Sequence, residues 1–138
     1  MSLVLDSSIT LAWLFEDERT PAADEVLQRV VENGAVAPSL WRLEVANGLQ
    51  TAVRRGRIDP AFRDASIADL QALMVAVDPE THARAWTDTL ELAARHGLTL
   101  YDAAYLELAQ RRRLPLATLG RELRAAAEVN GVELLGAR

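Results

Sequence analysis

Residues 3–15 read LVLDSSITLAWLF: three aliphatics, an aspartate, two serines, then an apolar stretch at helical spacing. A short unbroken apolar run that ends on a polar residue and passes straight into helical periodicity is a buried strand feeding a helix. The strand is expected at 3–5 and the helix at 8–15. Outward from this unit the same alternation repeats. Thr20 caps, and Pro21 opens, a helix over 21–31, which Asn33 and Gly34 stop ahead of a strand at 35–37. Ser39 caps a helix that runs to 55 and ends at Gly56, and Asp59-Pro60 starts another that carries through 73. A third strand is expected at 74–77. Asp78-Pro79 then begins a long helix to 96, with Gly97 at its C-terminal cap. Residues 101–112 are helical by pattern, 116–119 form a fourth strand, 121–128 a helix, and 132–135 a last strand after Asn130-Gly131. Strands separated by helices require right-handed crossovers, so the fold class is α/β: a mostly parallel sheet of four or five short strands with helices on both faces.

With 138 residues, 50% hydrophobic and 25% charged, and no repeat or linker, the chain reads as a single domain over 1–138. No apolar run approaches a membrane span and the first basic residue is Arg19, so the expected location is cytoplasmic, with no membrane partner. The absence of cysteine removes disulfides, thiolate nucleophiles and Cys-ligated zinc. All 15 basic residues are arginine; without lysine, Walker-type phosphate loops and Schiff-base chemistry lose an essential group. A net charge of −5 argues against a non-specific nucleic-acid coat but leaves room for a nuclease that meets its substrate through metal ions.

Ligands in open parallel sheets bind at the carboxyl ends of strands, which singles out Asp6, directly after the first strand. Asp6, Ser7 and Ser8 are also good helix-capping types, so capping is an equal reading. On the helix from 40, Val45, Leu49 and Val53 make a core face, while Glu44 lies opposite with Asn47 and Thr51, alongside Leu40 and Leu43. A glutamate among leucines needs either a cation or hydrogen-bond donors, and Arg42 or Arg54 is available for an ion pair. Asp102 falls in the inward stripe of Tyr101, Tyr105, Leu106, Leu108 and Ala109, with Glu107 and Gln110 outward; it also completes a capping box with Thr99.

Val4-Leu5-Asp6-Ser7-Ser8, the Leu43-Glu44-Val45 core of a helix that reaches Gly48-Leu49, and Leu100-Tyr101-Asp102-Ala103-Ala104-Tyr105 resemble the three acidic motifs of PIN-domain ribonucleases, most closely the VapC toxin branch. The resemblance runs along nearly the whole chain in order and spacing, to Leu116-Ala117-Thr118-Leu119. It implies a PIN-like three-layer sandwich, usually a homodimer, that cuts RNA with Mg²⁺ or Mn²⁺ and is held inactive by a VapB-type antitoxin. By the same resemblance Asp6 and Asp102 would ligate the metal directly, Glu44 would be a ligand or a water-positioning base, and Ser7 and Thr118 would donate hydroxyls behind them.

One position departs from that pattern. Where the family carries a fourth acid, this chain has Gly120; Glu122 follows, placed to complement a helix dipole. The alternative reading is therefore a PIN-like interaction module that dimerises and binds antitoxin or RNA but is catalytically weakened. A phosphoaspartate hydrolase or receiver is disfavoured by the missing lysine and by the lack of a second acid beside Asp6. Arg111, Arg112 and Arg113, and the cluster of Arg54, Arg55 and Arg57, are solvated or helix-end charges by one reading and RNA contacts by another. Trp13, Trp41 and Trp86 are expected in the core, and His82 and His96 at the surface.

Overall fold

Leu3, Val4 and Leu5 are fully buried, as a strand covered on both faces requires. In the computed structural model, which describes residues 2–137, the strand β1 is Val4–Leu5 and passes at once into α1, Ser7–Leu14. The terminal residues of the expected 1–138 domain lie outside the described residues. There follow α2 (Pro21–Asn33), β2 (Ala35–Ala37), α3 (Leu40–Arg54), α4 (Pro60–Gln71), β3 (Val75–Val77), α5 (Leu90–His96), α6 (Leu100–Arg112), β4 (Leu116–Ala117), α7 (Arg121–Val129) and β5 (Leu134–Leu135). The five strands are all parallel, in the order β3-β2-β1-β4-β5.

Local chemistry sets the boundaries. Thr20 and Asp59 cap α2 and α4 by accepting from the backbone N–H of Ala23 and Phe62, each with proline at the first helical position. Gly97 closes α5 in the left-handed region at φ 65°. The chain order places β1 between β2 and β4, so the course of the sheet reverses at β1 and a crevice opens beyond its carboxyl end.

Three expectations need correction. The long helix over 78–96 is a 3-10 turn (His82–Arg84), a π-type turn (Ala85–Thr89) and then α5. On α6 the facing is wrong at two places: Tyr101 is 63% exposed, and Glu107, expected outward, is buried. Glu107 accepts that burial because Arg111, one turn on, donates to both of its carboxylate oxygens at 2.8 and 3.1 Å. Trp13 and Trp41 are core residues, but Trp86 is 88% exposed. Among the described residues no helix is long and apolar enough to cross a membrane.

Candidate metal centre

Asp6 stands at the N-cap of α1 yet caps nothing with its side chain. Its Oδ2 accepts instead from Ser8 Oγ at 2.6 Å and from Thr118 Oγ1 at 2.7 Å, and Thr118 is the residue after β4, the neighbouring strand. Both donors are themselves anchored: Thr118 Oγ1 accepts from Gly120 N–H at 3.0 Å, and Ser8 Oγ accepts from Leu119 N–H at 2.9 Å. Oδ1 of Asp6 accepts no hydrogen bond among the described residues, and it is not sealed from solvent.

Glu44 arrives from α3. Gly48, one turn further along, lets α1 approach closely: a Cβ there would lie 2.6 Å from Leu11 Cδ1. Leu11 is one turn on from Ser7, so the close crossing brings Ser7 to Glu44, and Ser7 Oγ donates to Glu44 Oε1 at 3.2 Å. A second donor to the same oxygen is Tyr105 OH at 2.6 Å. The compensation for burying this glutamate is thus two hydroxyls, not Arg42 or Arg54. Leu43, beside it, is 75% exposed.

Asp102 lies in the first turn of α6. Its backbone N–H donates to Thr99 Oγ1 at 3.1 Å, half of a capping box, but its carboxylate accepts no hydrogen bond among the described residues. The box is therefore open on the side of the acid.

Glu44 and Asp102 both feel the neighbouring acids. Burial raises the Glu44 carboxyl above its ordinary value; the Tyr105 and Ser7 hydrogen bonds oppose that, and the charges on Asp6 and Asp102 add to it. Asp102 is raised first by burial, then by the charges of Asp6 and Glu122. Oδ1 of Asp6, Oε2 of Glu44 and the Asp102 carboxylate, from three distant segments, accept no hydrogen bond among the described residues, and the charges of Asp6 and Asp102 are felt at Glu44. Such a donor set, all oxygen with no sulfur or imidazole, suits a hard cation such as Mg²⁺ or Mn²⁺. Among the described residues no group of three acidic or imidazole side chains is placed to hold a metal ion; an ion bound by fewer of them would need water in its shell.

Of the residues expected here, Asp6 is bonded to Thr118 and Glu44 to Ser7, whereas the Asp102 carboxylate bonds to none of them and acts on Glu44 through its charge. The sequence reading missed Ser8, which was visible only as a capping type, and the Tyr105 hydroxyl, whose one signal was a tyrosine rather than a phenylalanine on a core stripe. Glu122, expected to complement the dipole of α7, also raises Asp102 through its charge. Arg111, Arg112 and Arg113 do not join the site. They lie at the other end of α6, about 14 Å along the helix axis from Asp102, and Arg111 and Arg112 are committed to Asp78. A concavity of about 900 Å³ lies at the far end of α1, lined by Phe15, Arg57 and Phe62, and contains none of the acids.

Known proteins share this arrangement of elements. A family model described as PIN domain matches residues 3–129. Ribonuclease VapC3 of Pyrobaculum aerophilum is 32% identical over 123 residues, covering 89% of this chain and 92% of that protein. The crystal structure of PAE2754 from Pyrobaculum aerophilum superposes with a TM-score of 0.70 at 26% identity, covering 97% of this chain and 92% of the other. VapBC2 from Rickettsia felis, bound to a DNA fragment from their promoter, gives 0.64 at 12% identity, with 97% of each chain covered. FitAcB from Neisseria gonorrhoeae gives 0.65 at 14% identity, covering 97% and 96%. The last two likenesses are of fold alone.

Proposed function

The chain belongs to the PIN-domain family, and from that premise we propose that it is a divalent-metal-dependent endoribonuclease, the toxin of a VapBC-type toxin-antitoxin pair. The observation that carries the reading is that Oδ1 of Asp6, Oε2 of Glu44 and the Asp102 carboxylate are left without a hydrogen bond among the described residues. Asp6 and Asp102 would bind Mg²⁺ or Mn²⁺ directly, and Glu44 would ligate it or position water. A cation bound there supplies charge neutralisation on the phosphodiester and makes a water acidic enough to attack it. The chain's own part is to hold that geometry. Thr118 and Ser8 pin one oxygen of Asp6, Ser7 and Tyr105 pin one oxygen of Glu44, and the other oxygen of each acid is left for the ion. The protein would work in the cytoplasm as a homodimer until a VapB-type antitoxin covers it. One surface for such partners is the open sheet edge at β3, where Met74 and Val77 are exposed.

Purified protein should cut RNA with Mg²⁺ and stop with chelator; cleavage that survives Asp6→Ala would mean that the activity comes from elsewhere. Gly120 gives a second test. Its backbone, φ −67° and ψ 122°, suits any residue, and a Cβ there meets nothing closer than Thr118 Oγ1 at 3.5 Å, so no steric need keeps the glycine. Gly120→Asp should fold, gain a capping carboxylate on α7, and tighten Mn²⁺ binding up to about tenfold, about 1.4 kcal/mol. Cleavage should rise by no more than the same factor, because Glu122 already adds negative charge on that side. A rise beyond about a hundredfold, about 2.7 kcal/mol of barrier, would favour the weakened interaction module instead.

A further inference from the structure

Tyr105 is fully buried on α6, and its hydroxyl is the one polar group of an otherwise apolar side chain. Phenylalanine would fill the same space. Burying a hydroxyl is costly without a partner, so the hydroxyl is explained by what it bonds. That partner is Glu44 Oε1, at 2.6 Å and 61 positions away. Ser7 donates to the same oxygen at 3.2 Å, whereas Oε2 accepts nothing among the described residues and reaches solvent. Two donors on one oxygen and none on the other remove the two-fold ambiguity of a carboxylate. Tyr105 also stands three residues after Asp102, on the same face of α6, so one rigid helix positions both acids.

From this we propose that Tyr105 is a positioning residue: its hydroxyl anchors Glu44 Oε1 so that Oε2 is presented to the divalent cation. The inference rests on the reading of Glu44 as part of the metal centre. Ser7 alone, with the longer hydrogen bond, leaves the glutamate free to rotate about its terminal torsion.

The test is a Mn²⁺ titration by calorimetry of the wild-type protein, Tyr105→Phe, Glu44→Gln and the double variant, with thermal unfolding as the check on folding. Tyr105→Phe should raise the Mn²⁺ dissociation constant about 10–100-fold, the range for partners behind a metal ligand. In the Glu44→Gln background the same change should alter it less than about twofold, since the amide can still accept from Tyr105 but its NH2 offers the cation no ligand for that anchoring to present. A metal-induced difference spectrum in the tyrosine band should vanish in Tyr105→Phe and persist in Tyr101→Phe; these are the chain's two tyrosines. A purely packing role would leave affinity intact or weaken it equally in both backgrounds. Wild-type affinity in Tyr105→Phe, with Glu44→Gln weakened, overturns the role of Tyr105 alone. No Mn²⁺ uptake by the wild type, or full affinity in Glu44→Gln, overturns the metal-centre reading and this inference with it.

Discussion

Asp102→Asn is expected to lower kcat/KM for RNA cleavage at least about a thousandfold, about 4 kcal/mol of barrier, and at the same time to stabilise the metal-free protein. The two effects have one origin. The Asp102 carboxylate makes no hydrogen bond among the described residues and is held in the fields of Asp6 and Glu122, so its charge is a cost to the empty fold. Asparagine keeps the shape and drops the charge. Asp102 is about half buried, so solvent screening limits the gain to about 0.5 kcal/mol, roughly 1–2 °C in Tm for a domain of this size. The pH dependence has the same sign. The folded-state value is raised, so the folded protein binds more protons than the unfolded chain just above pH 3.8. Metal-free stability should therefore fall as pH rises from that value through the raised one, with Glu44 adding to the same slope from 4.5 upward. Saturating Mg²⁺ should reverse the order, because only the wild type gains stability by binding. Thermal melts with and without Mg²⁺ check this, and an Asn variant no more stable than wild type without metal would contradict the crowding of charge.

The same electrostatics explains what the sequence could disclose. Strands such as Val4–Leu5 and Ala35–Ala37 were legible because a doubly covered parallel strand is apolar at every position. The candidate acids stand out in the sequence because each follows or faces an apolar element at a place where a charge is expensive. What defeated periodicity was α6, whose residues 103–109 are all buried, so that a stripe hardly exists. Tyr101 was therefore placed inside, although it is exposed, and Glu107 outside, although Arg111 makes its burial tolerable. Partnerships across distance were equally hidden. Nothing local tells Tyr105 from any core aromatic until α3 delivers Glu44 to it, and nothing in the run at 111–113 names a partner more than thirty residues earlier.

That partner is Asp78, and Asp78→Ala should cost about 3 kcal/mol of stability, measured by urea unfolding, with cleavage per folded molecule unchanged. Asp78 ends β3, where its N–H donates to Ala37 O, and its side chain is completely buried. Arg111 donates to its two oxygens at 3.1 and 2.8 Å, Arg112 to Oδ1 at 3.2 and 2.7 Å, and Thr81 Oγ1 to Oδ2 at 2.6 Å. Breaking one side of a buried ion pair costs about 3–5 kcal/mol because the other charge is stranded. Here the lower end is expected. Arg111 keeps Glu107, and Arg112, 39% exposed, returns to water. Burial alone would push the Asp78 carboxyl up, but Arg111, Thr81 and Arg112 outweigh it and hold the group well below the carboxylate range. Its contribution is therefore full above pH 3.8 and lost as pH falls through the depressed value. This slope is opposite in sign to that of Asp102, at the other end of α6. The Asp78→Ala protein should consequently lose much of its acid sensitivity while keeping the decline above pH 3.8. An acid limb identical to wild type would place the critical carboxylates elsewhere.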